Sequence, residues 1–201
     1  FIMALDMDYL LEQLKAVMAI DSPTGYTKNA AEYVCGEYRR LGFDAHLTGK
    51  GGVLVCLNPD APEDNGLLLM AHLDTLGGMV AEVTGTGRLR LTALGGMQPN
   101  NGEAENVRII TREGKTYSGT FQLKDASVHV NGDYAATSRT WDSMEVVIDE
   151  DVSSAEETRA LGIMTGDLVC FDPRTTVTSS GYITSRFLDD KLSVAIMLTQ
   201  A

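Results

Sequence analysis

Apolar residues recur at helical spacing near the start of the chain. Leu10, Leu11, Leu14, Val17 and Met18 fall on one face of a helix predicted over residues 7–19. Asp21, Ser22, Pro23 and Gly25 then break the pattern. A second stripe, made by Ala31, Val34, Cys35, Tyr38 and Leu41, predicts a helix over 27–41. Arg39 and Arg40 suit its negative C-terminal end, and Gly42 is placed to cap it. The period then changes to two. Residues 43–48 alternate, Gly49 to Gly52 read as a turn, and 53–57 form a β-rich apolar run. A polar loop, NPDAPEDNG, leads to 66–72, which is apolar up to His72 and predicts a central strand covered on both faces. Two helices, a hairpin and a buried strand imply an α/β layered architecture.

After Gly77 the pattern becomes short alternating strands with frequent glycine, at 79–83, 87–91, 107–111, 116–121 and 144–148. Gly95-Gly96 reads as a turn, and a short helix is predicted over 154–161 behind Ser153 and Ser154. Residues 190–201 return to helical spacing through Leu192, Ala195, Ile196 and Leu198. The predicted organisation is an α/β domain in two segments, 1–76 and 181–201, interrupted by a small all-β module over 77–180.

Composition narrows the function classes. With 44% hydrophobic and 22% charged residues in 201, the chain has the make-up of a folded protein with a core. No apolar run approaches the roughly 18 residues of a membrane span. The net charge of −12 argues against a nucleic-acid or anionic-membrane partner, either of which calls for a basic surface. Cys35, Cys56 and Cys170 are odd in number and form no C-x-x-C pair, so buried free thiols in a reducing, cytoplasmic setting are expected. The N-terminus has no basic stretch before an apolar core, so no secretory leader is expected, and Met3 is a candidate start residue.

Two short patterns carry candidate chemistry. His72 and Asp74 end the apolar run at 66–72, and side chains two apart on a strand share a face. An imidazole at a strand end can hold a metal while a neighbouring carboxylate orients it. Alone, H-x-D is also what a surface pair gives. Asp189 and Asp190 are adjacent carboxylates between apolar residues, and a carboxylate can bridge two metal ions. Alone, they are equally a helix N-cap with a dipole partner. His46 reads as an exposed strand residue and His129 as a structural or surface residue. There is no G-x-S-x-G, P-loop or dinucleotide-binding glycine pattern, and no cysteine has an evident His partner.

Together these pieces resemble one family. Ser22-Pro23-Thr24-Gly25 is similar to the early S-P-S/T-G loop of the tetrahedral aminopeptidases, which include glutamyl and deblocking metallo-aminopeptidases and proteins once labelled endoglucanases. His72-Leu73-Asp74-Thr75-Leu76-Gly77-Gly78-Met79-Val80 resembles that family's H-x-D-x-x-G-x-x-V. Leu94-Gly95-Gly96, Gly114 to Gly119 and Ala160 to Asp167 follow in the family's order, and Ser185 to Lys191 resembles its S-(K/R)-x-x-D-D-R. Ser193 departs from a usual Gly, and Val128-His129-Val130 replaces a usual P-P-H segment.

The resemblance implies a zinc-peptidase-like α/β sandwich interrupted by a small all-β dimerisation domain, PDZ-like or barrel. It implies a metal-dependent aminopeptidase acting on peptide substrates through a water activated by two divalent metal ions. Zinc comes first, with cobalt or manganese as alternatives. His72 maps to a metal ligand, Asp189 to the bridging ligand and Asp74 to the residue that orients the ligating His. The peptide between Asp189 and Asp190 is often cis in that family. Dimers assembling into a dodecamer are implied as well. The family's later Glu-Glu pair, Asp and His have no counterpart before Ala201. The chain is therefore expected to be the N-terminal part of a longer protein, inactive alone. Two other readings stand beside this one: a non-catalytic fragment or interaction module, and a glycoside hydrolase.

Overall fold

The computed structural model describes residues 6–60 and 66–201; most of the loop expected between 58 and 66, and the candidate start Met3, lie outside them. The chain divides into two compact units, Phe1–Thr75 with Pro173–Ala201, and Leu76–Asp172. The second crossing falls at Pro173, ahead of the return at 181 that the change of pattern predicts.

The first unit is built on helices. α1 (Met7–Met18) starts at Asp6, whose side chain accepts the Tyr9 N–H, and buries Leu10, Leu14, Val17 and Met18. α2 (Lys28–Arg40) buries Ala31, Val34, Cys35 and Tyr38. Gly42 follows it in the left-handed conformation at φ 96°, which glycine adopts without a Cβ clash. Val17, Val34, Tyr38 and Ala45 share one core cluster with Val194 and Leu198 of the last helix. Fully burying an aliphatic side chain of this kind contributes about 1.5–3 kcal/mol. α1 and α2 are also tied by a polar cluster in which the Tyr9 hydroxyl and the Gln13 amide both donate to Glu37, each at 3.1 Å. Burial and the neighbouring Glu37 push the Tyr9 hydroxyl up to about 12.

β1 (Ala45–Leu47) and β2 (Val53–Val55) form an antiparallel hairpin with His46 opposite Leu54. The central strand expected at 66–72 is not present. The backbone from Gly66 to Asp74 is irregular, and Leu67 and Met70 are 86% and 81% exposed. A strand exists by virtue of a ladder partner, and no described residue pairs with this run before Thr75, which bridges Pro23. The layered sheet expected of this unit is accordingly not formed among the described residues. Cys56 corrects a second expectation: it is exposed beside β2, whereas Cys35 and Cys170 are buried, and none of the three forms a disulfide.

The second unit is a closed six-stranded antiparallel barrel. Its strands are β3 (Gly77–Val83), β4 (Leu89–Leu94), β5 (Glu105–Ile110), β6 (Thr116–Leu123), β7 (Met144–Ile148) and β8 (Leu168–Phe171), in spatial order β3-β4-β7-β6-β5-β8. Buried and outward positions alternate along β5 and β6, so Val107, Ile109, Phe121 and Leu123 point inward. Phe121 meets Phe171 edge-on with ring centroids 5.4 Å apart. Gly119 is required where β6 passes β7, because a Cβ there would lie 2.6 Å from the Val147 carbonyl oxygen. α3 (Ala155–Ala160) carries Ser154 as its N-cap, accepting the Glu157 N–H. After the barrel, β9 (Thr176–Val177) pairs with β10 (Ile183–Thr184), and α4 (Leu188–Leu198) ends the chain.

Candidate functional site

The S-P-T-G loop fixes the backbone that presents His72 and Asp74. Ser22 is fully buried and its hydroxyl donates to the Leu73 carbonyl at 2.7 Å. The Thr75 N–H donates to the Ser22 carbonyl at 2.8 Å, and the Thr24 N–H donates to the Thr75 carbonyl at 3.1 Å. Residues 73–75 are thus held on both sides of Pro23 although the run before them is irregular. Thr24 also donates its hydroxyl to Asp74 Oδ2 at 2.8 Å.

Asp189 and Asp190 arrive from the start of α4. Phe187 takes a left-handed backbone at φ 63°, a conformation that costs an L-residue of this size about 1–2 kcal/mol. The peptide between Asp189 and Asp190 is cis, and both residues have non-helical angles, so regular helix begins only after them. Lys191 then turns inward. It is 1% exposed, and its Nζ donates to the Val17 and Ile20 carbonyls at 2.9 and 2.7 Å, placing a cation at the C-terminal end of α1.

These two segments meet at His72. Its Nδ1 lies 3.3 Å from Asp74 Oδ1 and 3.2 Å from the Asp74 carbonyl oxygen. Its Nε2 lies 3.1 Å from Asp189 Oδ1, and its backbone N–H donates to Asp190 Oδ2 at 3.3 Å. His72 and Asp189 are 117 residues apart in the chain, and with Asp74 they form one cluster. The cluster is open to solvent, with the Asp189 side chain 95% exposed.

The hydrogen-bond accounting at the ring has a chemical consequence. A neutral imidazole carries one N–H. It can serve the two Asp74 acceptors at Nδ1 or Asp189 Oδ1 at Nε2, and with the proton on Nδ1 the Nε2 lone pair faces a carboxylate oxygen. In that tautomer a cation between the two would join both donors on one centre. Two donors of one tetrahedral zinc ion are about 3.4 Å apart for bonds near 2.1 Å, close to the observed 3.1 Å. A His that gives its other ring nitrogen to a carboxylate is also how metal-ligating imidazoles are held. The residues present thus fit part of a metal site. Among the described residues no group of three or more His, Cys, Asp or Glu is placed to hold a metal ion.

A groove of about 860 Å³ opens beside the cluster, lined by β2, residues 66–74, α2 and α4, with His72 and Asp74 on its wall. His46 lines the same groove from β1. His129 is exposed in a loop of the barrel unit. Two contributors were not identified from the sequence as parts of the cluster's support: the Thr24 hydroxyl and the buried Lys191. The S-P-T-G and D-D-K patterns contained both, but nothing in the spacing showed what either touches.

Comparison with known proteins follows the same lines. Residues 51–201 match the family model described as M42 glutamyl aminopeptidase. A putative aminopeptidase, YhfE, of Bacillus subtilis is 40% identical over 94% of this chain and 54% of its own length. The chain spans about half the length of the curated relatives it matches. Among solved structures, an aminopeptidase from the archaeon Desulfurococcus kamchatkensis superposes with a TM-score of 0.81 at 24% identity, over 96% of this chain and 51% of that one. The TET1 peptidase of Pyrococcus horikoshii, which can assemble into a tetrahedron or a large octahedral shell, gives 0.77 at 24% identity over 94% and 54%.

Proposed function

Because the chain belongs to the M42 glutamyl aminopeptidase family, we propose that residues 1–201 supply part of the centre of a metal-dependent aminopeptidase. The observation that carries this reading is the His72 ring, held at Nδ1 by Asp74 and facing Asp189 through Nε2. His72 and Asp189 would be the donors, with Asp189 in the bridging role that the resemblance implies. Divalent metal ions, zinc first and cobalt or manganese as alternatives, would supply Lewis-acid polarisation of the scissile carbonyl and an activated water. Asp74 holds the ring proton on Nδ1 and keeps the imidazole oriented. Asp190 fixes the backbone at His72. Peptides with a free N-terminus are the substrates.

Two donors do not complete a metal centre, and because the chain spans about half the length of its curated relatives, this reading assigns the remaining ligands and the general base to the other half. The 201-residue chain alone is inactive on this account. In the cell the protein self-associates, by analogy with the shell-forming archaeal relative, and works in the cytoplasm. A glycoside-hydrolase reading gains no support, because that chemistry sets two carboxylates across a sugar and the Asp74 carboxylate is engaged by Thr24 and His72.

The test is hydrolysis of aminoacyl chromogenic substrates by the full-length protein. Activity that a chelator abolishes and zinc or cobalt restores is the expected result. Activity indifferent to chelation contradicts the metal-dependent reading, and cleavage of a β-glucan in place of aminoacyl substrates contradicts the peptidase reading.

A further inference from the structure

We propose that Thr24 is a positioning residue for His72, acting through the Asp74 carboxylate. The value of the arrangement for catalysis rests on the metal-centre reading above, but the arrangement itself does not.

The Thr24 hydroxyl has one proton and two acceptors in reach, Asp74 Oδ2 at 2.8 Å and the Thr75 carbonyl oxygen at 3.4 Å. The shorter contact is to the carboxylate, which is also the stronger acceptor. With Oδ2 held, Oδ1 of the same carboxylate stays turned toward His72 Nδ1 at 3.3 Å. The hydroxyl is delivered from a fixed base, because the Thr24 N–H is bonded to the Thr75 carbonyl and Pro23 bridges Thr75. Asp74 needs such a hold. Its side chain is 41% exposed, and an exposed carboxylate with a single imidazole contact is free to change rotamer.

The series Thr24, Asp74, His72 therefore selects the tautomer with the proton on Nδ1 and leaves Nε2 facing Asp189. Among the described residues no hydrogen bond joins Thr24 to His72 or Asp189, so its influence passes through Asp74. Serine at this position can do the same, and valine, of the same shape, cannot.

The experiment is nitrogen NMR of the imidazole rings in the full-length protein, metal-free and mildly alkaline, with the His72 signals assigned by their loss in His72→Gln. The wild-type ring is expected to carry its proton mainly on Nδ1. Thr24→Val raises the Nε2–H share severalfold, and Thr24→Ser restores the wild-type ratio. Thr24→Ala gives the same answer as Thr24→Val should the latter fail to fold. A wild-type ring with its proton on Nε2, a Thr24→Val ratio equal to wild type, or a Thr24→Ser ratio equal to that of Thr24→Val overturns the proposal. Zinc added to the metal-free full-length protein separates the two readings. An Nε2 resonance that ignores zinc counts against the metal centre alone, whereas a zinc-sensitive Nε2 with an unchanged tautomer ratio in Thr24→Val counts against Thr24 alone.

Discussion

At the scale of single residues, the cluster is held by side chains that never face it. Lys191 is the clearest case. It follows Asp190 directly and spends its ammonium on two carbonyls at the end of α1. Removing it takes a buried charged donor from both carbonyls, of which that of Val17 keeps the Ile20 N–H at 3.3 Å, a loss of about 1–3 kcal/mol. Lys191→Met keeps the length and apolar stem of the side chain, so urea unfolding of this variant is expected to show a drop of that size, and a midpoint equal to wild type contradicts the anchoring role. The pairing of His72 and Asp74 was expected from the two-residue period of a strand, but it forms in irregular backbone held by Ser22 and Thr24. The approach of Asp189 has no such signal, since no periodicity connects positions 72 and 189; only the resemblance of the D-D motif pointed there. The Thr24 hydroxyl was invisible for another reason: a threonine in a turn reads as turn chemistry, and its acceptor lies 50 residues away.

At the scale of elements, amphipathic stripes place α1 and α2 within a residue or two, because a helix satisfies its backbone internally and needs a partner only for one face. The run at 66–72 shows the opposite case. Its apolar residues state that it is to be covered, but a strand is defined by neighbours that the run itself does not encode. Carboxylates that tie elements together make their contribution pH-dependent. The Arg40 guanidinium, bonded to Glu37, holds that carboxyl below its ordinary value, and Arg139 does the same for Glu103. Glu157 is lowered by the Ser153 backbone and hydroxyl donors at the start of α3. Each proton is therefore bound more weakly in the folded state than in the unfolded chain. The stability these groups add is present in full above the ordinary carboxylate range and is lost as pH falls through the lowered values. Thermal unfolding followed from neutral to acid pH is expected to fall, with Glu37→Gln flattening part of that slope. Parallel slopes for wild type and Glu37→Gln contradict the assignment.

At the scale of the whole molecule, the two units differ in how far they are closed. The barrel seals its own hydrogen bonds, since β8 joins β3 to β5 and leaves no edge. The alternation of its strands was legible in the sequence; the closure was not, because it depends on pairings between strands far apart in the chain. The first unit leaves Leu67, Leu68 and Met70 exposed in a row beside an apolar groove. An apolar surface of that kind binds hydrophobic dyes and promotes association. The 201-residue chain is expected to enhance anilinonaphthalene sulfonate fluorescence, and Leu67→Lys with Met70→Lys to remove most of the signal. Equal fluorescence from the double variant places the apolar surface elsewhere. No helix among the described residues is long and apolar enough to cross a membrane.

The central claim is that His72 and Asp189 act as donors to one metal ion. Zinc titration calorimetry on the full-length protein, with His72→Ala and Asp189→Ala alongside, tests it most directly. The account predicts that wild type binds zinc and that each substitution weakens binding by about tenfold or more, with thermal midpoints near wild type. Affinities that remain equal across all three proteins contradict the claim and leave the His72–Asp189 contact as a surface hydrogen bond.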